Sequence, residues 1–214
     1  MQSVSAAITS MLDAYFDELA RWSERLNLTS IPREQMWSRN VGDAQDLLDL
    51  AAPAPGTRVI DIGSGGGAPG VVVAILRSDL QVTLLESDVR KGGFLVHVAG
   101  LLGLTGVTVE TIRAEEAGHR HGTREAFDLA TSRAAAPPPV LCELALPLLR
   151  VGGSLCALVT DAPAALESCA AAASACGGGP PEAPAPGLLR VAKIAPTSPE
   201  YPRRAGVPSR RPLS

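Results

Sequence analysis

Aromatic side chains are scarce: three Phe, two Trp and two Tyr make up 3% of the 214 residues. Any core must therefore be filled by Ala, Leu and Val, which a hydrophobic content of 46% allows. An excess of positive charge is missing too. The net charge of −3 means that a surface for nucleic acid has to be local. The four cysteines, Cys142, Cys156, Cys169 and Cys176, show no C-x-x-C spacing and read as buried or idle thiols of a reducing cytosol. No apolar run is long enough to span a bilayer, and the first residues lack the basic stretch and apolar core of a secretory signal. The expectation is a soluble cytoplasmic protein, one domain with some decoration, acting as a monomer without a membrane.

What the chain does have is a dense glycine turn. Val59-Ile60-Asp61-Ile62 reads as a strand, and Gly63-Ser64-Gly65-Gly66-Gly67-Ala68-Pro69-Gly70 follows at once. Glycines suit a chain that must bend sharply and let a ligand touch its backbone, and the amides of the next helix carry partial positive charge toward that ligand. Asp61 stands two residues before the first glycine, within reach of the amino group of an amino-acid moiety. A second strand ends in Glu86, about the right distance on to hydrogen-bond a ribose. No Gly-Lys-Ser/Thr follows the glycines, which argues against a nucleoside triphosphate loop. An acid, a glycine turn and a second acid resemble an S-adenosylmethionine site more than a nicotinamide site. A nicotinamide-dependent oxidoreductase would use the same turn, but Asp61 and the lack of a Tyr-x-x-x-Lys pair disfavour it.

Before the turn, 5–26 reads as an amphipathic helix with Ile8, Leu12, Tyr15, Phe16, Leu19 and Leu26 on one stripe. A short helix carrying Met36 and Trp37 and a third over about 43–50 complete an extension over 1–52. From Thr57 strands and helices alternate, which predicts a parallel sheet with helices on both faces over 53–200. Strands are predicted at 58–62, 81–86, 107–112, 127–132 and 154–159, with a final one at 188–194. Helices are predicted at about 69–77, 90–102, 139–149 and 163–175. Asp61, Glu86, the Arg113-Ala114-Glu115 corner and Arg133 fall at the carboxyl edge, where such sheets bind ligands. The Pro/Gly tract at 176–187 is predicted to hold no regular structure. A basic, Pro-rich tail occupies 201–214. Its Arg203, Arg204, Arg210 and Arg211 are either a solvated terminus or contacts for RNA phosphate.

Several separated blocks together resemble a family. They are Trp22-Ser23-Glu24-Arg25-Leu26-Asn27-Leu28-Thr29-Ser30, Asp61 to Gly70, Leu84-Leu85-Glu86-Ser87, Arg113-Ala114-Glu115-Glu116, Ser132-Arg133-Ala134, and Tyr201-Pro202-Arg203-Arg204-x-Gly206-x-Pro208. The chain resembles the bacterial small-subunit ribosomal RNA guanine-7-methyltransferases, also called glucose-inhibited division protein B. The resemblance implies an α/β fold of the class I S-adenosylmethionine-dependent methyltransferase type, a Rossmann-like doubly wound sheet with an N-terminal helical extension. It implies S-adenosylmethionine as cofactor and small-subunit rRNA, or the small ribosomal subunit, as partner. Carried over residue by residue, the cofactor contacts are Gly63, Ala68, Ala114, Glu115 and Arg133, to which the physical reading adds Asp61, Gly65 and Glu86. Arg133, near the methionine end, is the expected catalytic residue; a surface ion pair with Asp128 or Glu125 is its alternative.

Three positions depart from the family pattern. Asn40-Val41-Gly42-Asp43-Ala44 stands where His-x-x-Asp-Ser is common, Val159 where a lysine is common, and the Pro/Gly tract where ordered sheet and loop are usual. The first two leave open a second reading, a non-catalytic RNA-binding or regulatory relative that keeps the fold.

Overall fold

The computed structural model describes residues 5–213. Helix α1 (Ala6–Leu26) starts where the Ser5 hydroxyl accepts a bond from the Ile8 amide, and ends where Asn27 turns left-handed at φ 48°. Its stripe buries Leu12, Tyr15, Phe16 and Leu19 against α4 (Gly70–Leu76) and α5 (Val89–Leu101). A buried side chain of this kind stabilises by about 1.5–3 kcal/mol, so the extension is fused into the core. Tyr15, Phe16, Trp22, Trp37 and Phe94 cluster at this seam, with ring centroids 5.1–6.0 Å apart. Five of the seven aromatics are thus spent joining the extension to the sheet domain. Trp37 belongs to that packing, edge-on to Phe16 and bonded to Asp13 through its ring N–H.

The segment 33–51 is one continuous helical run. Short α2 (Arg33–Met36) passes through a π-helical turn (Trp37–Val41) into α3 (Gly42–Ala51). The sequence pattern separates the two helices but does not show this turn, which holds Asn40 inward with no exposure.

The sheet order is β3-β2-β1-β4-β5-β6, with β1 (Arg58–Ile62), β2 (Gln81–Leu85), β3 (Val107–Glu110), β4 (Phe127–Arg133) and β5 (Leu149–Leu158) parallel. Alternate residues face two layers. Val59 and Leu129 join α1, α3, α4 and α5, whereas Ile60, Ile62 and Ala130 join α7 (Pro138–Ala145) and α8 (Ala162–Ala175). All four cysteines are buried and free. Among the described residues no helix is long and apolar enough to cross a membrane.

Two expectations need correction. The sheet is mixed, because β6 (Leu188–Ala192) runs antiparallel to β5. The reason lies in the Pro/Gly tract, which as expected holds no helix or strand but is tied down by two isolated bridges. After α8 it climbs back along the edge of β6, with Gly179 N donating to Ala192 O and Glu182 pairing in both directions with Arg190, all at 2.8 Å. The tract makes the return crossing, so β6 enters from the carboxyl edge and descends. Also, β5 begins at Leu149, five residues before the predicted 154, since Gly152 and Gly153 lie inside a strand rather than ahead of one.

Candidate functional site

The sheet order reverses between β1 and β4, and the two strands deliver Asp61 and Arg133 to the carboxyl edge there. The turn after β1 is held from beneath: Gly63 N and Ser64 N both donate to Leu85 O, at 2.9 and 3.1 Å. Gly63 and Gly65 adopt φ of 67° and 52°, where a side chain is strained. Glu86 braces the same turn, accepting from Gly65 N and from Asp88 N, each at 2.8 Å. Its carboxylate is mostly buried, and each oxygen keeps a second acceptor site.

Asp61 and Thr131 are register partners on β1 and β4, and the Thr131 hydroxyl donates to Asp61 Oδ1 at 2.8 Å. Asp61 Oδ2 is buried without a partner. Burial pushes this carboxyl up from 3.8 to about 6, against the opposing pull of Thr131, Ser64, the nearby Gly70 amide and the Arg133 charge. The folded protein therefore holds a proton here that the unfolded chain has released, and stability drains away as pH rises from about 4 to 6. Asp61→Asn removes that titration. It should be roughly 2 kcal/mol more stabilising at pH 7 than at pH 4.5, read from urea denaturation at the two pH values. An equal effect at both would mean that Asp61 titrates normally.

Arg133 takes neither acid of its alternative reading, an ion pair with Asp128 or Glu125. Asp128 is held by Arg150 and by the Arg58 amide, and Glu125 accepts from Thr197 N. Instead one guanidinium nitrogen of Arg133 donates to Asn40 Oδ1 and to Asp43 Oδ2, both at 2.7 Å. The segment that departs from the family pattern thus reaches across to the end of β4. The sequence reading missed two site groups. Asn40 is one. The other is Tyr15, whose hydroxyl donates to Gly66 O at 2.7 Å and whose burial raises its pKa. A polar-tipped aromatic on an apolar stripe was the available signal for Tyr15.

Ala68 lies half-buried against the α1 side of the core. Ala114 and Glu115 open α6 (Ala114–Ala117), after β3. Glu115 is buried, and its Oε1 accepts from Gly206 N at 2.8 Å, so the C-terminal segment reaches the site. That segment is packed rather than loose. Arg124 donates to the carbonyls of Thr197, Ser198 and Tyr201, and Pro202 and Pro208 are buried. Arg203 is removed from the set of free phosphate ligands. Its guanidinium is fastened to the fully buried Glu143 at 2.5 and 2.8 Å, and its amide donates to the same carboxylate. Arg204, Arg210 and Arg211 are exposed, the last two in and beside α9 (Val207–Arg210). The structure therefore gathers Asp61, Gly63, Gly65, Glu86 and Arg133 on one edge, with Ala114 and Glu115 on the neighbouring strand end.

Comparison with known proteins follows the same lines. A family model described as rRNA small subunit methyltransferase G matches residues 8–176. The ribosomal RNA small subunit methyltransferase G of Moorella thermoacetica is 38% identical over 95% of this chain and 90% of its own length. That of Chloroflexus aggregans is 41% identical over 93% of this chain and 87% of its own. Among solved structures, an S-adenosylmethionine-dependent O-methyltransferase of Thermotoga maritima superposes with a TM-score of 0.58 at 16% identity. It covers 84% of this chain and 72% of that one, which supports the class I methyltransferase fold. On the family match and the identities across nearly the whole length, the chain belongs to the rRNA small subunit methyltransferase G family.

Proposed function

We propose that this protein transfers a methyl group from S-adenosylmethionine to the ring nitrogen at position seven of a guanine in small-subunit rRNA. The observation that carries the reading is Asp61 Oδ2, an acceptor buried without a partner beside the glycine turn at the sheet's switch point. An ammonium group supplies the missing donors. At Gly65 the chain leaves room for a nucleoside, since a Cβ there would meet nothing nearer than Gly63 O at 3.7 Å. These residues fit an amino-acid-bearing nucleoside.

In this reading Asp61 holds the amino group, the open lone pairs of Glu86 take the ribose, and Ala114 and Glu115 border the adenine. When bound, S-adenosylmethionine supplies an electrophilic methyl group on a sulfonium. The guanine nitrogen carries a lone pair and no proton, so no side chain has to remove one. The protein's work is alignment, and holding two reactants in line contributes as much as 7–11 kcal/mol in favourable cases. Arg133 is the group at the substrate side, and its planar donors suit a base edge or a phosphate. Exposed Arg204, Arg210 and Arg211 supply phosphate contacts that position the RNA without reading its sequence.

Mapping 7-methylguanosine in small-subunit rRNA with and without the gene tests this. The modification should vanish from one guanine on deletion and return with the gene. Cofactor binding with unchanged methylation would instead identify a non-catalytic relative, the second reading that Asn40, Ala44 and Val159 keep open.

A further inference from the structure

Among the described residues two buried side-chain polar atoms lack any hydrogen-bond partner, and they are of opposite kind. One is the acceptor Asp61 Oδ2. The other is the donor Asn40 Nδ2, in the π-helical turn of the N-terminal extension. The orientation of the Asn40 amide is settled by its neighbour: a guanidinium only donates, so Oδ1 must face Arg133 and Nδ2 is left over. Asn40 is fully buried and Asp61 is 1% exposed, so neither orphan is satisfied by bulk water. A buried amide or carboxyl atom with nothing to bind is destabilising, and native structures keep few of them without a function.

Arg133 connects the two. It lies two residues after Thr131 on β4, hence on the same sheet face as the Thr131 hydroxyl that bonds Asp61. That is the face covered by α1 and α3. The Arg133 charge acts on both Asp61 and Tyr15, while its nitrogen touches Asn40. This edge therefore holds an unpaired carboxylate oxygen, an unpaired amide N–H and a guanidinium. Its complement is a zwitterion, with an ammonium for Asp61 and a carboxylate for Asn40 and Arg133.

We propose that Asn40 is a positioning residue for the cofactor, its Nδ2 receiving the carboxylate of the methionine moiety whose ammonium Asp61 binds. The inference rests on the cofactor reading above and adds a group from outside the sheet domain. The extension thereby completes the amino-acid end of the pocket. Asn40 meanwhile holds Arg133 through its other atom.

Titration calorimetry with two probes separates this from a structural role. S-adenosylhomocysteine carries the amino-acid end, and 5′-methylthioadenosine lacks it. Asn40→Asp keeps the shape and the oxygen that faces Arg133 but loses the donor. It should weaken S-adenosylhomocysteine at least tenfold and leave 5′-methylthioadenosine within twofold of the parent. Asn40→Leu, which removes both polar atoms, should show the same selectivity. Unchanged affinity for S-adenosylhomocysteine overturns the proposal, and so does a parallel loss for both probes, which would mark a packing defect. A parent protein that binds neither probe overturns the cofactor reading itself, a result visible before any variant is made.

Discussion

Glu143→Ala should cost about 3–5 kcal/mol of folding stability, the range for a buried ion pair stripped of one partner. Glu143 sits in α7 with no exposure and accepts three bonds from Arg203, two from the guanidinium and one from the backbone amide. Removing its carboxylate leaves those donors unmatched, and the segment from Tyr201 onward loses an anchor. Arg203→Met should be as damaging, because it strands a carboxylate inside the protein. Combining Arg203→Met with Glu143→Leu should recover most of the loss, since two apolar groups need no partners. Denaturant titration of the three variants checks the series. Single-variant losses below about 1 kcal/mol would return Arg203 to the class of exposed ion pairs.

Arg203 also shows where sequence reading stops. Four arginines in an acid-free tail are equally consistent with phosphate contacts and with structural anchors, because charge pattern records nothing about a partner 60 residues away. Lys193 is similar: it is fully buried, and it donates to Cys176 O at 2.9 Å and to the Thr197 hydroxyl. The motif around Tyr201 to Pro208, read as a family mark, is largely fastening. By contrast, β1, β2 and the turn between β1 and α4 were legible, because a strand ending in acid before glycines is a local pattern. Asp61 and Glu86 followed from spacing alone, and both stand at the predicted edge. The contact between Asn40 and Arg133 spans 93 residues and needs a π-helical turn to form. Asn40 looked like the loss of a family feature until its neighbour was known. The antiparallel β6 was hidden for a different reason: an extended proline-rich return has no periodicity to reveal it.

Gly65→Val should abolish S-adenosylhomocysteine binding, with affinity falling by more than a hundredfold, while most of the folding stability survives. The glycines of the turn are not equivalent. At Gly65 a Cβ would find only Gly63 O at 3.7 Å, so the space it enters is the proposed nucleoside site. The φ of 52° adds strain of roughly 1–2 kcal/mol for a non-glycine residue, a cost the fold can bear. Gly66 faces the opposite way. A Cβ there would come within 2.8 Å of Leu19 Cδ1 and 2.9 Å of Leu28 O, pushing α1 and its connecting loop off the turn. At Gly70 it would meet Leu84 Cδ2 at 2.5 Å and Asp61 Cβ at 2.8 Å. Overpacking of this kind typically costs about 1–3 kcal/mol, so Gly66→Ala should lower thermal stability before it touches affinity, whereas Gly70→Ala, whose Cβ also falls 2.8 Å from Asp61 Oδ2, should lower both. Calorimetric binding and thermal melts should therefore split Gly65→Val from Gly66→Ala, the first losing ligand and the second losing fold. If Gly65→Val binds as the parent does, the open space over that residue is not where the nucleoside goes, and the glycine turn serves only to let α1 approach the sheet.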